Sequence, residues 1–241
     1  MAIARLLPIL ALLGLSLLLI AGPGTRLDLW EFRTGFSLMR WALYLGAAGI
    51  ALGIIAVLIP KVRKHYLGAV LLAIVIGVIT VAPIAMQVQK ARSLPFIHDV
   101  TTDTENPPAF VDVAPLRADA PNPVGYAGEE VATLQREGYP DIQSLNVPQA
   151  PSLVFSQARD AAEEMGWEMV AAVESEGRIE ATETTFWFGF KDDVVIRIRA
   201  EGPGSVVDVR SKSRVGGSDI GANAARIKRY LDALTDRLGD E

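Results

Sequence analysis

Apolar and polar positions follow two different rhythms along this chain. Up to about residue 92 the apolar runs are nearly continuous, over 6–21, 41–59 and 67–86, and the second and third contain no charged residue. Each approaches the ~20 residues that carry a helix across a hydrocarbon core. The runs predict three transmembrane helices at about 4–22, 40–60 and 67–89, so that residues 1–92 form a membrane anchor. Arg5 before the first run also suits an export signal, but small cleavage-site residues are missing, and the helix is read as retained. Gly22, Pro23 and Gly24 are expected to end the first helix, and Pro60 the second, with a short basic loop at 61–65.

From residue 152 onward the period shortens. Val154, Phe155, Ala158, Ala161, Ala162 and Met165 recur at helical spacing, with Ser152 placed to cap and Gly166 to terminate. Four strand-like runs follow, over 167–174, 178–186, 192–200 and 205–213, joined by turns at Glu176-Gly177 and Gly202-Pro203-Gly204. A last helix from Asp219 to about Leu238 carries Ile220, Ala224, Ile227, Leu231 and Leu234 on one stripe. The expected fold is therefore α+β: three transmembrane helices, then a two-layer domain at 152–241 with a four-stranded antiparallel sheet flanked by two helices.

Residues 93–151 contain nine prolines and are expected to be a Pro-rich linker, either a spacer or an arm lying over the core, with 110–113 as a candidate extra strand. His98, Asp99, Asp103 and Glu105 within it can be read as metal ligands, but Asp, Thr and Asn equally build local turns, and the turn reading is preferred.

Charge adds an asymmetry. Only Asp28 and Glu31 precede His98 among the acids. Arg5 and the acid-free 61–65 cluster oppose Arg26, Arg33, Arg40, Lys90 and Arg92, which those two acids dilute. This predicts an inside amino terminus and a periplasmic soluble region on a multi-pass inner-membrane protein. A net charge of −5 argues against nucleic-acid binding, and the absence of cysteine excludes disulfides and thiolate metal sites.

Strand alternation places Arg178, Glu180, Arg197, Arg199, Asp208, Arg210, Lys212 and Arg214 on the face opposite the valines and isoleucines. The expected role is a solvated sheet with surface ion pairs, or a docking face for an acidic partner, lipid headgroups or the linker itself. The polar stretch 205–227 adds Ser218, Asp219, Asn223 and Arg226. The candidate binding residues are thus Arg178, Glu180, Arg197, Arg210, Arg214, Ser218, Asp219, Asn223 and Arg226. Gly216, Gly217 and Ser218 before a helix can hold an anion, but Asp219 would repel it. His65 and His98 are the only histidines, and no catalytic constellation, cofactor motif or metal motif emerges.

The segments ENPPAF, YPDIQSL, GRIEATETT, FGFKDDVVIRIR and VDVRSKSRVGGSDIGANAARI resemble the bacterial and plastid family called domain of unknown function 1499, over about residues 95–238. The anchor looks like that family's membrane-bound branch. Relatives with lipoprotein or export signals imply an outside location, and their Cys-containing stretch is replaced here by ENPPAF, so no thiol chemistry carries over. The expected function is a membrane-anchored, non-catalytic binding or interaction domain whose partners are the bilayer and a membrane or periplasmic protein. The alternatives are an assembly factor acting through its helices, and a hydrolytic enzyme.

Overall fold

A computed structural model describes residues 2–239. The chain forms two compact units. The first comprises residues up to Lys90 together with Phe186–Gly189; the second comprises Ala91–Thr185 and the chain from Phe190 onward.

The first unit is built on α1 (Ala2–Arg26), α2 (Phe32–Leu58) and α3 (Pro60–Ser93), all long and apolar enough to cross a membrane. Between apolar helices the attraction comes from close packing rather than from hydrophobicity, which favours small residues at the contacts. Accordingly Gly35, Ala42, Gly46, Gly49, Gly53 and Ala56 form the buried seam of α2. Gly46 and Gly77 of α3 sit so close that a Cβ on Gly77 would lie 2.7 Å from the Gly46 carbonyl oxygen.

Three expectations for this region are corrected. Helix α1 runs through Gly22-Pro23-Gly24 to Arg26, because a proline removes a single backbone donor and apolar helices tolerate that where neighbours pack around it. Helix α2 starts at Phe32, leaving a short corner in which Asp28 takes a left-handed conformation. Residues 61–65 are helical rather than a loop; Pro60 opens α3 and the break falls at Tyr66 (φ −136°, ψ 15°).

The second unit contains β1 (Asp99–Thr101), α4 (Glu129–Gly138), β2 (Leu145–Val147), α5 (Pro151–Glu164), β3 (Glu168–Val173), β4 (Arg178–Thr184), β5 (Lys191–Glu201), β6 (Gly204–Ser213) and α6 (Ala222–Gly239). The sheet has six strands, not four. β3 to β6 form the expected antiparallel meander, and β1 and β2 both pair antiparallel with the remaining edge of β6. The added strands span three residues each, too short for a period of two to show in the sequence. Residues 110–113 are not a strand.

Helices α5 and α6 cover one sheet face. Val154, Phe155, Ala158, Ile227, Tyr230 and Leu234 pack there against Ile179, Val194, Ile196, Val207 and Val209. Ala150 and not Ser152 precedes α5, with Pro151 in the first turn, where its missing N–H costs nothing. Ile220 lies outside α6 in a left-handed turn. A bulge between Met169 and Ala171 interrupts the alternation of β3 and turns Val170 toward Phe110, Val113 and Val195 on the other face. That second face is covered too. The Pro-rich stretch is an arm laid over it, so the unit has three layers: helices, sheet and arm.

Candidate functional site

Strand β6 is buried along its whole length, and its alternating side chains feed two separate polar clusters. On the arm face Asp208, Arg210 and Lys212 join residues of β1, β4 and β5. On the helix face Ser211 and Ser213 meet α6.

Four carboxylates organise the arm face, and each is held by cationic donors of the same chain. Asp193 receives Arg117 Nη1 at 3.1 Å, Arg214 Nη2 at 2.7 Å and the Thr182 hydroxyl at 2.7 Å. Asp99 receives Arg210 through Nε and Nη2, both at 2.9 Å, and Lys212 Nζ at 2.9 Å. Asp208 receives Arg197, Arg199 and the Ser144 hydroxyl. Glu180 receives Arg178 and the backbone N–H groups of Val111 and Val113, at 2.8 and 2.7 Å.

The same cations hold the arm by its backbone. Arg210 donates to the carbonyls of Pro108 and Val124, Lys212 to Gly125, Arg214 to Leu116 and Arg117 to Asn122. The Arg210 guanidinium also lies over the rings of Phe110 and Tyr126, at 4.9 and 5.4 Å. Burial dominates the titration here. It pushes Arg117 and Lys212 below their usual values despite their acidic partners, and the Tyr126 phenol up to about 12. Burial also pushes the Asp208 carboxyl up, but the hydrogen bonds from Ser144, Arg197 and Arg199 outweigh it and leave Asp208 below its usual value.

On the helix face Arg226 bridges Asp192 (2.6 Å), Glu183, Ser211 and Asn223. Burial alone would lower Arg226; Asp192 and Glu183 reverse that and raise it. Asn223 in turn donates to the His98 carbonyl. Asp219 caps the start of α6, accepting from the N–H groups of Gly221 and Asn223 at 2.8 and 2.7 Å, and burial raises its carboxyl. The Ser218 hydroxyl accepts from the Ile220 N–H at 3.3 Å.

A family model described as a protein of unknown function, DUF1499, matches residues 99–234, more than half of the chain. The chain belongs to the DUF1499 family. No curated protein sequence matches it. The DUF1499 match opens on the first residue of β1 and runs into α6, so the arm lies inside the family's domain.

The nine candidate residues do not converge in this DUF1499 domain. Arg178, Glu180, Arg197, Arg210 and Arg214 lie on the arm face, whereas Asn223 and Arg226 lie on the helix face. Nor is the arm face solvated: Glu180, Asp193 and Asp208 are fully buried and Arg210 and Lys212 nearly so. Asp103 makes the expected turn, accepting from the N–H groups of Glu105 and Asn106.

The sequence suggests a metal-ligand or turn role for Asp99 rather than a buried ion pair, and it does not single out several other organising residues. Asp99 and Arg117 sat in the supposed linker, and Asp193 was passed over, although the Asp192-Asp193 pair inside an apolar strand was a signal. Gln135 of α4 was also missed. Its side-chain amide accepts from the Thr101 N–H at 2.9 Å and donates to the Thr101 carbonyl at 2.6 Å, closing the outer edge of β1 as another strand would.

Proposed function

We propose that this protein is a membrane-tethered, non-catalytic interaction module, with its DUF1499 domain on the periplasmic side of the inner membrane. The observation that carries the reading is the internal neutralisation of the arm face. Asp99, Asp193, Asp208 and Glu180 are each held by cations of the same chain. A carboxylate buried against donors of its own chain is out of reach of a substrate proton and so is poorly placed as a general base. The charged face therefore serves to fasten the arm, and a partner meets the exterior of the domain. The three apolar helices supply the tether.

The burial pattern determines which substitutions test this. Reversing Arg210 would place a second negative charge beside Asp99 in the interior and unfold the domain. Exposed arm positions such as Val111 and Leu116 leave the ion pairs intact. Full-length protein and its Val111→Glu/Leu116→Glu variant, captured from detergent extracts, should retain equal thermal stability and differ in co-purifying membrane or periplasmic proteins. Identical partner sets, or turnover of a small molecule by the purified protein, would sink the reading. A carboxyl-terminal phosphatase fusion should be active; an inactive phosphatase fusion with a fluorescent cytoplasmic reporter would reverse the orientation.

A further inference from the structure

We propose that the β4–β5 hairpin tip, Phe186–Gly189, is a membrane-contact site of its own, seated in the boundary between lipid headgroups and acyl chains. The inference rests on the reading of α1, α2 and α3 as membrane-spanning.

The tip groups with the helices in the first compact unit although it lies about a hundred residues beyond α3 in the chain. It is fitted to the corner between α1 and α2. The Trp187 ring fills the space over Gly22, where a Cβ would lie 2.1 Å from Cδ1. Phe188 lies over Gly35 and reaches Phe36, ring centroids 5.1 Å apart. Arg26 sets its guanidinium over the Phe186 ring, 5.7 Å from the centroid, and donates to the Phe186 carbonyl.

This corner has the chemistry of an interface. Arg26, Asp28, Glu31 and Arg33 mark the polar end of the helix pair, while Leu27 and Leu29 stand exposed among them at 69% and 68%. Aromatic rings and guanidinium groups at helix ends settle at headgroup depth. Phe186 is 83% exposed, the highest value among the large apolar side chains of the described residues. A ring so placed gains by leaving water, and the apolar surface it continues belongs to helices that already enter lipid. The backbone permits it: Thr185 N–H bonds the Phe190 carbonyl, Phe190 N–H bonds the Thr185 hydroxyl, and Arg26 occupies the Phe186 carbonyl. These three pairings let the hairpin neck enter a less polar medium with those hydrogen bonds already made.

The cysteine-free chain allows single nitroxide labels in the full-length protein. Phe186→Cys, Val75→Cys in α3 and Glu201→Cys at the β5–β6 turn would each be labelled and reconstituted into phosphatidylcholine–phosphatidylglycerol vesicles. Power saturation then compares collisions with oxygen, which partitions into lipid, and with a water-soluble nickel chelate. The proposal expects an oxygen-to-chelate ratio at 186 severalfold above that at 201 and approaching that at 75. A high ratio at 75 with equal, low ratios at 186 and 201 overturns the proposal and leaves the membrane anchor standing. Low ratios at all three positions overturn both.

Discussion

Arg210 and Asp99 form a two-pronged ion pair inside the domain, Nε to Oδ1 and Nη2 to Oδ2 at 2.9 Å each, and neither side chain is more than 3% exposed. Arg210 reaches Asp99 diagonally across the β1–β6 ladder, where Thr101 is its direct neighbour and Lys212 is that of Asp99. One carboxylate therefore serves two buried cations. Losing one member of such a group leaves uncompensated charge in a poorly solvating interior.

Asp99→Ala should accordingly cost about 3–5 kcal/mol, since breaking a buried pair costs that much and here two cations are stranded. Glu105→Gln, which removes an exposed partner of Arg136, should cost under ~1 kcal/mol. Urea titration of the detergent-solubilised protein, followed by circular dichroism, compares the two. Equal midpoints would show that the arm-face pairs contribute nothing to stability.

Gln135→Ala should open the edge of β1. It leaves the N–H and carbonyl of Thr101 without their side-chain partners, at about 1–3 kcal/mol for each group that stays buried. Hydrogen exchange at the Thr101 amide should accelerate well beyond that at Ile196 in the centre of the sheet. Unchanged protection at Thr101 would mean the edge is closed by something other than Gln135.

Gly77→Val should separate α2 from α3. Its first side-chain atom would meet the Gly46 carbonyl at 2.7 Å and Ile50 at 2.8 Å, and backbone has no rotamer in which to yield. Overpacking of this kind costs about 1–3 kcal/mol. Gly68→Ala lies on the same helix with open space around it and should be neutral or slightly stabilising. Thermal melts of the two variants in the same detergent provide the comparison, and matching losses would argue against a close α2–α3 contact.

Lowering the pH through the histidine range should weaken the second unit through His98. Burial lowers the pKa of this imidazole in the folded state below its ordinary 6.5, with the Gly217 carbonyl opposing. The unfolded chain then takes up the proton first. The stabilisation is fully present above about pH 6.5 and is lost as the pH falls toward the lower folded-state value. His98→Gln should flatten the dependence as the pH falls through about 6.5. A variant as pH-sensitive as the parent would place the titrating group elsewhere.

Alternation in β4, β5 and β6 was legible in the sequence, and it sorted Arg178, Glu180, Arg197 and Arg210 onto one face. That the face is roofed over stood in the sequence only as one alternative, with the linker among several possible occupants. The arm is fastened through backbone groups: Val111 and Val113 N–H to Glu180, and the Pro108, Val124 and Gly125 carbonyls to Arg210 and Lys212. Every residue type offers those groups, so the arm bears no periodic imprint and resembles a tether. Gly22 misled for a related reason: glycine marks a helix end and also a place where a ring comes close, and only the second applies here.

The two short strands on the outer edge of β6 also set a sequence of events. Lys212 bonds an aspartate 113 positions earlier in the chain, and β2 pairs with the other half of the same strand. Synthesis delivers β1, the arm and β2 long before the strand that unites them. The early segments must therefore wait, with Asp99 and Arg117 still hydrated, until residues past Ser213 have emerged. Sheets closed by such distant pairings assemble slowly. A chain that stalls before residue 204 lacks β6 altogether, leaving β1 and β2 unpaired and the arm without the lysine and arginines that fasten it.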